Sequence, residues 1–197
     1  MALVALPISG FGAAWESSKE AESFRKGDLA SVKRILQKDT YPEAVILEAL
    51  PTAVSSGNVE LVKYLASLGW LEVCRKDKYC IPIHVAAQYG RVGVMRFLIS
   101  EGFDAYAVTA PTARGGGGKE SALHLAARMG HIRAVEFLCE QGVNADLRNE
   151  YGRTALGEAK STLGTGSLAA TKKEDARIRA NVAKVIEYLE SGQCKKK

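Results

Sequence analysis

Histidine is scarce in this chain: three copies among 197 residues, beside four cysteines and five prolines. Cys74, Cys80, Cys139 and Cys194 form no C-x-x-C pair and have no histidines clustered near them. The roughly four convergent ligands that zinc requires are therefore not in view, and no metal or other cofactor is expected. Free thiols in a reducing compartment are the plain expectation, which points to a cytoplasmic or nuclear setting, with Cys139 on an apolar face taking a core position. Long apolar runs are missing too. Nothing approaches the roughly eighteen uninterrupted apolar residues of a membrane-spanning helix. Residues 1–14 are apolar but carry no basic leading region, so a packed or flexible arm is expected there and not a cleaved leader. The net charge of +5 is modest, and Lys195-Lys196-Lys197 supplies three of the positives. A phosphate-binding face needs a larger basic cluster on one ordered surface, so nucleic acid is an unlikely partner.

Catalytic motifs are absent as well. No serine or cysteine pairs with a histidine in a known nucleophile motif, and no acid–base constellation stands out, so no catalytic residue is assigned. Ala113-Arg114-Gly115-Gly116-Gly117-Gly118-Lys119-Glu120 looks like a phosphate-binding loop with Ala for its first Gly. It fails where a Ser or Thr must hold magnesium, because Glu120 stands there and would repel phosphate. Four consecutive glycines are expected as a flexible finger instead.

What the chain does contain is repetition, which decides architecture before any other signal. Ile81-Pro82-Ile83-His84-Val85-Ala86-Ala87-Gln88-Tyr89-Gly90 is echoed by Ser121-Ala122-Leu123-His124-Leu125-Ala126-Ala127-Arg128-Met129-Gly130. Gly57 to Gly90 and Gly69 to Gly102 are both 33 residues apart, whereas Gly90 to Gly130 and Gly102 to Gly142 are both 40, so seven extra residues lie between those two copies. Gly27 to Gly57 is 30, and Val135-Glu136-Phe137-Leu138 pairs with Ile186-Glu187-Tyr188-Leu189 at an offset of 51.

These words resemble the ankyrin repeat, whose usual form is T-P-L-H-x-A-A-x-x-G followed by V-x-x-L-L and G-A. The resemblance implies a mainly α solenoid of about five helix-turn-helix units with short β-turns, degenerate terminal caps and a long C-terminal helix. The expected units are roughly 15–38, 41–72, 76–108, 116–148 and 149–192, forming one domain over 15–192 between the arm and a frayed basic tail at 193–197. Ser17 with Glu20 predicts a capping box for the first helix, with Trp15 and Phe24 packing it down. Thr40-Tyr41-Pro42-Glu43 predicts another helix start, Pro51 a kink or restart, and Pro82 a first-turn proline. Thr171 with Glu174 predicts a closing helix over about 171–190 after a loop at 161–170.

In such arrays the histidine slot, here His84 and His124, usually ties neighbouring turns together. The resemblance further implies a protein-binding surface on the concave face, built from turn tips and the exposed pair before the first glycine. Those positions correspond to Asp77, Lys78, Gln88, Tyr89, Glu120, Arg128, Met129, Glu150, Tyr151 and Arg153. Lys78, Gln88, Tyr89, Arg128, Met129, Tyr151 and Arg153 are the candidate contacts, since Tyr, Met and Arg suit interface cores. Replacing Tyr89 and Arg128 by alanine is expected to remove a partner without changing stability. The function expected is a non-enzymatic protein–protein interaction module. The alternatives are a targeting or regulatory subunit bridging an enzyme and its substrate and, more weakly, a binder of an anionic or nucleic-acid partner using Arg128, Arg153 and Lys78. Gly157 and Lys160 stand where His and Ala are usual, which weakens the last repeat's surface.

Overall fold

The computed structural model describes residues 18–37, 41–110, 118–164 and 172–195. The expectations placed on the N-terminal arm, Trp15, Ser17, Thr40, Thr171 and the tip of the glycine finger lie outside those residues. The chain divides between Cys80 and Ile81 into two compact units, each described by itself.

The first unit holds α1 (Lys19–Lys26), α2 (Leu29–Leu36), α3 (Glu43–Ser56), α4 (Val59–Ser67) and α5 (Trp70–Lys76). The side chain of Ser18, one residue later than the expected cap, accepts from the Ala21 N–H at 3.0 Å and starts α1. Phe24 is fully buried and stacks on Trp70, with ring centroids 5.9 Å apart. Pro51 neither ends nor restarts its helix: α3 runs through it as one element. The sequence reading missed α5, whose Trp70, Leu71 and Cys74 are buried. Asn58 caps α4, and its Nδ2 also donates to the Gly27 carbonyl at 2.7 Å, joining the two helical hairpins.

The second unit holds α6 (Pro82–Gln88), α7 (Val92–Ser100), α8 (Ala122–Arg128), α9 (Ile132–Glu140), α10 (Ala155–Gly164) and α11 (Lys172–Glu190). Pro82 occupies the first turn of α6, where a missing N–H costs nothing. Ala86, Ala87, Ala126 and Ala127 are wholly buried and let α6 and α8 pack closely; Val94, Met95 and Leu98 of α7 and Ala134, Val135 and Leu138 of α9 fill the layer beneath. The loop expected from residue 161 begins later, because α10 continues to Gly164. The closing helix forms as expected and buries Val182, Val185 and Leu189.

Imidazoles tie the repeats of this unit together. His84 Nε2 donates to the Glu120 carbonyl at 3.0 Å, His124 Nε2 to the Arg153 carbonyl at 3.0 Å, and His131 Nε2 to the Gln88 carbonyl at 2.9 Å. A carbonyl can only accept, so each ring carries its proton on Nε2.

All four cysteines depart from the free-thiol expectation: Cys74 bonds to Cys80, and Cys139 bonds to Cys194. The structure reveals the pairing that no short motif announces, since 55 residues separate the second pair. The tail is consequently docked and not frayed through Cys194, which lies in a short 3-10 helix over Gln193–Lys195.

Burial holds the pKa of His84 down at about 4, against an ordinary value of 6.5, and also lowers that of His131. Above pH 6.5 His84 is neutral in both the folded and unfolded chain, so its stabilisation is complete. As the pH falls from 6.5 towards 4 the unfolded chain takes up the proton first and stability drops. The urea midpoint is expected to fall over that window by an amount worth about 2–3 kcal/mol, and His84→Gln to flatten the dependence. An equal slope in the variant would remove His84 from the account.

Gly130 ends α8 with a φ of 72°, and a Cβ there would lie 2.9 Å from the Val182 nitrogen of α11. Gly152 has a φ of 70° but open space around it. Gly130→Ala should therefore cost about 2–4 kcal/mol in chemical denaturation, and Gly152→Ala only about 1–2 kcal/mol. Equal losses would mean that α11 yields freely at that approach.

Candidate functional site

The first helix of each repeat ends on two residues that escape the buried layer. In α6 these are Gln88, half-buried, and Tyr89, 48% exposed; in α8 they are Arg128, half-buried, and Met129, 38% exposed. Tyr89 and Met129 hold equivalent places on two helices packed against each other. Tyr151 and Arg153 follow at the next turn tip. There Asn149 Oδ1 accepts from the Tyr151 and Arg153 N–H groups at 3.0 and 3.1 Å and shapes the turn. The Arg153 guanidinium lies 5.9 Å from the centre of the Tyr151 ring, and that ring is 59% exposed. Lys78 belongs to the first unit, where its ammonium sits 4.9 Å from the Tyr79 ring at a turn held by Asp77 Oδ1.

Three of these residues converge. Arg128, Met129 and Arg153 line a groove of about 370 Å³ together with Glu158, Ser161 and Thr162 of α10 and Ile178 of α11. Behind each arginine stands a carboxylate more buried than the guanidinium it faces. Arg128 donates to Glu120 Oε1 at 2.7 Å. Arg153 approaches Glu158 Oε1 at 3.7 Å, while Asn149 Nδ2 donates to that same oxygen at 2.7 Å. Glu158, Thr162 and Ile178 were not among the expected contacts. Nothing in the local sequence marks a helical glutamate as buried or Asn149 as its partner. In this last repeat Gly157 stands in the histidine slot, and a Cβ added there would lie 3.4 Å from Arg153 Cβ.

The two chemistries weighed from sequence find no support. Ser121 Oγ lies 2.8 Å from His124 Nδ1, which is within reach for a nucleophile pair, but both residues are buried and the other ring nitrogen is engaged by the Arg153 carbonyl. The pair caps α8 instead. At the base of the glycine finger, Lys119 donates its N–H to the Thr109 carbonyl, and Thr109 donates to the Glu120 carbonyl, both at 2.9 Å. Glu120 turns its carboxylate to Arg128, so no magnesium ligand stands there. In the basic strip expected for an anionic partner, acids stand between the cations: Arg128 faces Glu120 and Arg153 faces Glu158. Among the described residues no group of three or more His, Cys, Asp or Glu could hold a metal, and no helix is long and apolar enough to cross a membrane.

A family model described as ankyrin repeats, in three copies, matches residues 21–109 and 104–168. The E3 ubiquitin-protein ligase hecd-1 of Caenorhabditis elegans is 28% identical over 164 residues, which is 78% of this chain and 5% of the ligase. Human protein phosphatase 1 regulatory subunit 27 is 37% identical over 87 residues, covering 42% of this chain and 56% of its own length. Human ankyrin repeat and KH domain-containing protein 1 is 32% identical over 106 residues, or 54% of this chain and 4% of its own. The chain thus spans a small fraction of the two long relatives and little more than half of the regulatory subunit.

The Glu120 pairing changes the expectation attached to Arg128. The side chain of Glu120 is only 10% exposed, so removing its partner leaves a carboxylate poorly compensated. Arg128→Ala should lower stability by about 1–2 kcal/mol, and adding Glu120→Gln should restore much of it. Tyr89→Ala should leave the melting temperature unchanged. A neutral Arg128→Ala would show that the ion pair contributes nothing.

Proposed function

This chain belongs to the ankyrin-repeat family, and we propose that it is a protein–protein interaction module without catalytic activity of its own. The partner binds along the face built from the turn tips and the ends of the first helices, the concave face in the family's arrays. The observation that carries this is the contrast within two successive helices. Ala86-Ala87 and Ala126-Ala127 are wholly buried, while Tyr89 and Met129, two residues further on, are open to solvent. A rigid surface of this kind needs little ordering on binding, so more of the contact energy remains as affinity. Tyr89, Met129 and Tyr151 supply apolar area, and Gln88, Arg128 and Arg153 supply polar contacts. Lys78 belongs to the same set by its place in the repeat. The cytoplasmic or nuclear setting expected from free thiols loses its warrant, because all four cysteines are paired.

A second reading is a targeting or regulatory subunit that brings an enzyme to its substrate. The likeness to a protein phosphatase regulatory subunit over 42% of the chain favours it. It differs from the first in requiring two partners on separate surfaces.

Affinity purification from the source cells tests both. The double variant Tyr89→Ala with Met129→Ala should lose its main partner while melting as the parent does. Retention of the full partner set would contradict the surface. Loss of one partner and retention of another would favour the bridging subunit.

A further inference from the structure

Resting on the interaction-module reading, we propose that the groove between α8, α10 and α11 takes an extended segment of a partner protein that presents an acidic side chain beside an apolar one. The groove measures about 370 Å³, enough for side chains and not for a folded element. Its charge comes from Arg128 and Arg153, with side chains 36% and 48% exposed. The carboxylates behind them, Glu120 and Glu158, are only 10% and 6% exposed. A buried acid behind an exposed arginine fixes the guanidinium and leaves its outer N–H groups for another acceptor. Arg128 gives one N–H to Glu120. Arg153 stands 3.7 Å from Glu158 Oε1, beyond hydrogen-bond reach, and Asn149 donates to that oxygen at 2.7 Å. The Arg153 guanidinium therefore keeps its donor fork, which matches the two oxygens of a carboxylate.

Glu158 also lines the groove and opposes an anion; Arg128 and Arg153 line it as well, while Glu120 faces Arg128 from outside the lining, so the two charges of each sign balance and the exposed ones are the cations. That balance suits one carboxylate and not a phosphodiester backbone, which needs a row of cations without acids between them. Met129 and Ile178 give the groove its apolar part. A thioether adapts to varied side-chain shapes, so an aliphatic or aromatic neighbour of the acid fits against it.

Random peptides displayed on phage and panned against the full chain provide the probe. Enriched peptides should pair Asp or Glu with an apolar residue close by. In titration calorimetry, replacing that acid by its amide should weaken binding by about tenfold or more. Arg153→Ala should weaken the acidic peptide by a similar factor and leave the amide peptide unaffected, at a temperature where circular dichroism shows the variant folded. Binding that is lost in Tyr89→Ala with Met129→Ala but indifferent to the peptide's acid would overturn the inference and leave the interaction module standing. Enrichment without acid–apolar pairs, or no enrichment, would overturn it as well. So would Arg153-dependent binding of a random-sequence DNA oligonucleotide in place of peptide.

Discussion

An imidazole donating to a backbone carbonyl one repeat away is the bond on which the second unit depends. Finger turns and helix ends carry carbonyls with no ladder partner, and burying them unpaired would be costly. His131 meets the helix-end carbonyl of Gln88 through Nε2, while His84 and His124 add a second donor to the Glu120 and Arg153 carbonyls, which also accept from the Thr109 and Asn149 N–H groups. The ring also fills apolar space between turns, which a lysine or serine in its place would not do. Asn58 supplies the comparable tie in the first unit, reaching the Gly27 carbonyl. A hairpin of short helices buries too little by itself, so these ties set the spacing at which the alanine pairs meet.

That spacing then fixes what the surface can offer. Because α6 and α8 are held side by side, the two positions before each closing glycine line up as neighbours. The acids Glu120 and Glu158 belong to this scaffold as much as to the surface. Glu120 holds Arg128 by a hydrogen bond of 2.7 Å, and Glu158 stands 3.7 Å behind Arg153. The result is a set of polar contacts prepared before any partner arrives, which reduces the conformational entropy lost on association.

Much of the second unit was legible from a period of 33 and 40 residues and from the histidine and glycine words. The helix start at Pro82 and the closing helix followed from local chemistry. Three things were not legible, each for a physical reason. Helix α5 falls in a stretch without a repeat counterpart, and its burial comes from Phe24 and α3, far away in sequence. Pro51 continues its helix because six apolar residues of α3 are buried around it, and that packing outweighs one missing N–H. The buried acids are invisible because a Glu on a short helix looks alike whether it faces water or a neighbouring asparagine. Candidate positions could thus be named from the word alone, while the groove that gathers three of them required the packing of α11, the displaced second helix of the last unit.

The Cys139–Cys194 bond turns the last two helices into a closed hoop. A linear stack loosens from its ends, because terminal repeats have one neighbour instead of two. Here the far end is stitched back onto α9, enclosing α10 and α11 within a loop 55 residues long. Constraining a loop of that length restricts the unfolded chain by about 4 kcal/mol on a chain-entropy view. The repeat whose histidine slot is vacant, and which should by rights peel away first, cannot leave without carrying its neighbour with it. The segment between Cys139 and Cys194 therefore opens only as one cooperative piece.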